Sequence, residues 1–106
     1  MKTLEIHPHS QSKPDLLSAI GETLRTIRTE SGLTLRQVAE DAHVSISYLA
    51  EIERGEKDPS SRVLESVAEG LEVEVGDLLL RIAATLDPEA TPVSSAAPPV
   101  AGKLAA

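Results

Sequence analysis

The sequence predicts an all-α fold of five short helices, and three observations carry that prediction. Apolar positions between Leu16 and Leu86 recur at spacings of three and four. The apolar set is aliphatic, with no Phe or Trp and a single tyrosine, Tyr48, which suits a small helix cluster better than a sandwich or barrel. Glycines and helix-capping residues break the pattern at short intervals. A chain of 106 residues has room for one domain.

Residues 1–13 are polar and aperiodic and read as a flexible N-terminal arm. His7 and His9 flank Pro8 there, but two histidines without a further ligand do not make a metal site. The helical domain is expected over residues 14–86. Leu16, Leu17, Ile20, Leu24 and Ile27 share one face of a first helix, which stops at Ser31-Gly32 because glycine accepts a left-handed turn. Thr34 with Gln37 forms a capping box, and Leu33 with Val38 a hydrophobic staple, so a second helix starts at Thr34 and turns Leu35, Val38, Ala39 and Ala42 inward. Val44-Ser45 repeats the staple and cap, with Leu49 as staple partner, for a third helix running to about Arg54 and stopped by Gly55. Asp58-Pro59-Ser60 makes a turn and the next cap. Val63, Leu64, Val67, Ala68 and Leu71 line the buried face of a fourth helix, and Gly70 weakens its end. A fifth helix, from about Val75 to Leu86, is apolar on more than one side, which predicts a partner subunit touching Leu78, Leu79, Ile82 and Leu86. Residues 87–106 are rich in Pro, Ala, Ser and Thr and are expected to be disordered.

Two short helices joined by a tight turn are the helix-turn-helix signature, and residues 35–54 fit it. Ala39 sits where the two helices approach most closely. Val44, Leu49 and Ile52 pack the second onto the first. His43 occupies the turn position usually taken by glycine, and histidine tolerates positive φ better than most residues.

The run Leu33-Thr-Leu-Arg-Gln-Val-Ala through Tyr48-Leu-Ala-Glu-Ile-Glu-Arg-Gly to Pro59-Ser60 resembles the Cro/CI (XRE-type) family of bacterial and phage regulators, over roughly residues 16–82. Within it, Val44 to Ser61 looks most like the actinobacterial Clp-protease gene regulators. The resemblance implies a five-helix, lambda-repressor-like domain that binds an inverted-repeat operator as a dimer. It further implies activation of Clp protease and chaperone genes through a GC-rich operator, which would bring RNA polymerase in as a partner. Arg28 and Glu53 match the family's internal ion pair between the first and third helices, a structural role.

The third helix is expected to enter the major groove N-terminus first, bringing Ser45, Ile46, Ser47 and Tyr48 nearest the DNA. Ile46 lies off the core pattern, so it either meets a thymine methyl or is a plain surface residue. Tyr48, on the outer side, suits a phosphate or sugar. Glu51 either accepts from a cytosine amine or orients Arg54. Leu35, Arg36 and Gln37 form the first turn of the second helix, where backbone donors and the Arg36 guanidinium can hold a phosphate; the alternatives for Arg36 are a guanine edge or a plain solvated side chain. Arg54, Lys57, Ser60, Ser61 and Arg62 surround the following loop and cap, positions for a backbone clamp.

Net charge is −7, which at first sight opposes a nucleic-acid partner. Residues 22–62, however, hold six Lys/Arg against eight Asp/Glu, a balance of −2, and the other −5 lies outside them. Phosphate contacts act over a Debye length of about 8–10 Å, so a local patch suffices. No nucleophile–base pair, phosphate loop or metal cluster supports an enzyme, and no cofactor is expected. The absence of cysteine, a signal peptide core and a spanning segment predicts a soluble cytoplasmic protein, nucleoid-associated in a bacterium. Two rivals use the same fold, an antitoxin that binds a toxin and an adaptor that has lost DNA binding. The final Leu104-Ala105-Ala106 resembles, over a very short stretch, the termini gripped by Clp unfoldases; the alternative is an inert end.

Overall fold

The computed structural model describes residues 15–89. The expected arm at 1–13 with His7 and His9, and the tail from residue 90 with Leu104-Ala105-Ala106, lie outside the described residues. Five helices follow one another, α1 Leu16–Glu30, α2 Leu35–Ala42, α3 Ile46–Glu53, α4 Ser61–Gly70 and α5 Val75–Leu86. No strand occurs among the described residues.

Side-chain oxygens start four of these helices by accepting an orphan backbone N–H. Asp15 accepts from Ser18 N at 2.9 Å, Ser45 from Tyr48 N at 3.0 Å and Ser60 from Val63 N at 3.1 Å. Thr34 and Gln37 form the full reciprocal box, Gln37 N donating to Thr34 Oγ1 at 3.0 Å and Thr34 N to Gln37 Oε1 at 2.8 Å. The stops are equally uniform. α1 to α4 each end in a left-handed residue, at Gly32, His43, Gly55 and Glu72 (φ +74, +59, +76 and +63°). At each, the next residue's N–H reaches back to a carbonyl five positions earlier, as in Val44 N to Ala39 O at 3.0 Å and Val73 N to Ala68 O at 3.0 Å.

The core gathers Leu24, Val38, Leu49, Ile52, Val67 and Leu78, with Ala19, Ala39, Ala42 and Ala68 where helices come close. α1 packs on α3 and α5, and α2 packs on α3 and α4. Small residues set two of these approaches, Gly21 against the end of α3 and Gly70 against α2, where a Cβ would lie 3.1 Å from Val38 O. Gly70, expected only to weaken the helix end, therefore serves helix packing, and the left-handed turn after α4 falls on Glu72. Buried Thr23 donates to Thr85 Oγ1 at 2.8 Å, and Thr85 in turn to Arg81 O at 3.0 Å, which joins α1 to α5.

The expected partner-facing residues of α5 need correction. Leu78 is 0% exposed and Ile82 5%, so both belong to the protomer's own core. They are four apart and form the inner stripe of α5, while half-buried Leu86 continues that stripe against the core. The large exposed apolar side chains of α5 are Val75, Leu79 at 51% and Leu80 at 65%.

Candidate nucleic-acid interface

The first turns of α2 and α3 and the segment 54–62 carry the polar and basic side chains singled out from the sequence. Thr34 fixes the start of α2, so Leu35, Arg36 and Gln37 are its first three residues. Arg36 and Gln37 are exposed, whereas Leu35 is half-buried against the core. Leu35 can therefore offer an approaching phosphate its backbone N–H but little side chain. The Gln37 carbonyl oxygen is used by Thr34 N, which leaves its amide NH2 to donate outward.

On α3, Ser45 and Ser47 are exposed. Ser45 accepts from Tyr48 N and keeps its hydroxyl proton to give to a partner. Ile46 and Tyr48, expected to face outward, are instead half-buried and pack against the core. Ile46 lies three residues before Leu49 and Tyr48 four before Ile52, so each shares a stripe with a fully buried residue. Each still offers part of its surface to a groove.

The ion pair inferred from resemblance is present. Arg28 Nε donates to Glu53 Oε2 at 2.7 Å and Nη2 to Glu53 Oε1 at 3.0 Å, a fork-on-fork arrangement, while Nη1 reaches Leu33 O at 3.1 Å. The side chains are only 15% and 8% exposed. The hydrogen bond from Arg28 to Glu53 raises the arginine's pKa further, against the opposing effect of burial. The pair joins α1, the turn after it and α3, and so fixes how α3 is presented.

Arg54 caps the C-terminal end of α3 and is exposed, as are Lys57, Ser60, Ser61 and Arg62. Buried Pro59 anchors the loop among them. Glu51 is half-buried and adds to the field at Arg54, but the partner of Arg54 is Glu56, which the sequence reading had not singled out. Among the described residues, no group of His, Cys, Asp and Glu is placed to hold a metal ion, and no helix is long and apolar enough to cross a membrane.

The family model for a helix-turn-helix domain matches residues 19–82, more than half of the chain. The chain belongs to the helix-turn-helix domain family. Within this family it groups with regulators of the Cro/CI, or XRE, type. It is 43% identical over 61 residues to the transcriptional regulator ClgR of Mycobacterium tuberculosis, covering 58% of this chain and 54% of that protein. The chain spans about half the length of the curated relatives it matches. Among solved structures, the clp gene regulator ClgR of C. glutamicum superposes with a TM-score of 0.66 at 43% identity, over 70% of this chain and 95% of that one. The restriction-modification controller protein C.Esp1396I, in a tetramer on its natural 35 base-pair operator, is similar with a TM-score of 0.65 at 26% identity, over 70% and 97% of the two chains. This helix-turn-helix chain thus shares its five-helix architecture with both.

Proposed function

We propose that the chain is a DNA-binding transcriptional regulator that grips an inverted-repeat operator as a dimer. The observation that carries this reading is the capped helix-turn-helix itself, with a nearly buried ion pair holding α3 and with Arg36, Gln37, Ser45, Ser47, Lys57, Ser60, Ser61 and Arg62 all exposed around it. α3 would lie in the major groove, with Ser45, Ile46, Ser47 and Tyr48 towards bases and sugars and Glu51 towards a cytosine amine. The first turn of α2 and the segment 54–62 would hold phosphates on either side. Two-fold symmetry would place half-sites about 34 Å apart. The similarity to ClgR supports Clp protease and chaperone genes as targets, with RNA polymerase as the second partner of an activator. The relatives reported above are named as regulators, which favours this reading over an antitoxin.

The test is selection from randomised duplex DNA followed by fluorescence anisotropy. An inverted repeat should be enriched, and failure to enrich any sequence at low salt would return the fold to a protein partner. With the selected duplex, Arg36→Ala is expected to weaken binding by about tenfold or more per protomer, the worth of a charge-assisted hydrogen bond. Each lost phosphate contact should also flatten the log–log salt dependence by about 0.9. A loss confined to one base position would assign Arg36 to a guanine instead of a phosphate.

The dimer is proposed to form through the outer stripe of α5, where Leu79 and Leu80 stand more than half exposed. Leu80→Asp should leave the helical content of the protomer unchanged, since the side chain is in no core. It should convert a dimer into a monomer in sedimentation velocity and cut operator affinity by the lost avidity, about a hundredfold or more. A dimer that survives Leu79→Asp/Leu80→Asp would move the interface elsewhere.

A further inference from the structure

The two bidentate Arg–Glu pairs of this domain share their chemistry and differ in setting. Arg28–Glu53 is nearly buried, but Arg54 and Glu56 are 58% and 54% exposed. Arg54 Nε donates to Glu56 Oε2 at 3.1 Å and Nη2 to Glu56 Oε1 at 3.0 Å. A carboxylate held in this way uses the same guanidinium fork that a DNA phosphate would use.

The position of Glu56 in the chain adds a second, independent observation. At the left-handed stops of α1, α2 and α4 the residue after the turn is Leu33, Val44 or Val73, each packed against the core as this motif favours. At the remaining stop, that of α3, the equivalent residue is Glu56. Its backbone is anchored in the same manner, Glu56 N to Glu51 O at 2.9 Å and Gly55 N to Ile52 O at 3.0 Å, yet its side chain does no packing. The turn at Gly55 sends that side chain back over the end of α3, onto Arg54. The hydrogen bond from Arg54 lowers the Glu56 pKa, so the carboxylate stays charged at neutral pH.

We propose that Glu56 is an internal competitor for DNA phosphate, closing Arg54 in the free protein and releasing it when the backbone is clamped. This rests on the reading of the loop after α3 as a DNA-backbone clamp. Because the contact it blocks is to phosphate, Glu56 damps affinity for every sequence alike, and it does so most at low salt, where the internal pair is tightest.

The experiment measures anisotropy of a fluorescein-labelled random-sequence duplex with wild type, Glu56→Gln, Arg54→Ala and the double variant, between about 50 and 200 mM salt. Glu56→Gln should tighten binding about two- to fivefold at the low end, the strength of an exposed pair, with the gain shrinking as salt rises. In the Arg54→Ala background the same change should give no gain, since the effect passes through that one guanidinium. A gain of equal size in both backgrounds would reduce Glu56 to bulk charge and overturn the proposal. So would unchanged or weaker binding by Glu56→Gln, the latter making Glu56 a support for Arg54. If Arg54→Ala binds as well as wild type, the clamp reading fails and this proposal with it; if Arg54→Ala weakens binding but Glu56→Gln does not tighten it, the clamp reading stands and only the competitor falls.

Discussion

Gly21→Ala is expected to destabilise the domain by about 3 kcal/mol and to remove DNA binding along with the fold. A Cβ at that position would lie 2.5 Å from Glu53 O, 2.5 Å from Ile52 O and 2.8 Å from Glu53 C. All three are backbone atoms at the end of α3, so no rotamer change relieves the overlap and α1 and α3 must move apart. That sets the cost at the upper end of what one added methyl does, and the better helix propensity of alanine returns only about 1 kcal/mol. A domain of this size has roughly 5 kcal/mol to lose. α3 is also the proposed recognition helix, so even a variant kept folded by an osmolyte should bind operator poorly. Gly76→Ala is the control. It lies in the first turn of α5 with nothing within 4 Å of its would-be Cβ, and should stabilise by up to about 1 kcal/mol. Urea unfolding followed by circular dichroism decides the matter; a Gly21→Ala domain at least as stable as wild type would show that the α1–α3 approach has slack.

Local signals were readable in the sequence where one residue's chemistry sets one backbone event. The Thr34–Gln37 box, the Ser45 and Ser60 caps and the left-handed stops at Gly32 and Gly55 all stand where their residue types place them. His43 takes the left-handed conformation foreseen for it. What escaped was anything set by two elements meeting. Gly70 reads as a weak helix end from its own helix, but its purpose is the close approach of α4 to Val38, and the turn falls on Glu72, for which composition offers no hint. Gly21 carried a faint signal, since a glycine inside an amphipathic helix is costly unless something packs there. The inner face of α5 is hidden from the sequence for a related reason. Its apolar residues nearly encircle the helix, and periodicity alone does not say which stripe meets α1 and α4 and which is left outside. Ile46 and Tyr48 likewise lie off the pattern set by Val44, Leu49 and Ile52, yet at the flanks of that pattern the core still half-buries them.

Glu53→Ala should lower unfolding stability by about 3 kcal/mol, because it strands a guanidinium that is only 15% exposed with Leu33 O as its one remaining acceptor. Arg28→Ala should cost a similar amount by leaving the 8% exposed Glu53 carboxylate without its partner. The expected effect on DNA binding separates a structural residue from a contacting one. If the pair only fixes α3, affinity measured at low temperature on the folded fraction should stay close to wild type, and the salt dependence should keep its slope. Arg28→Met with Glu53→Met provides the second arm. Replacing both charges by apolar chains removes the desolvation penalty together with the attraction, so the double variant should recover most of the stability that either single variant loses. Restored stability with affinity and salt dependence still close to wild type would assign Arg28 and Glu53 wholly to holding α3 in place. Restored stability without binding would mean that Arg28 or Glu53 itself reaches the DNA, and the boundary of the interface would then have to extend to the end of α1.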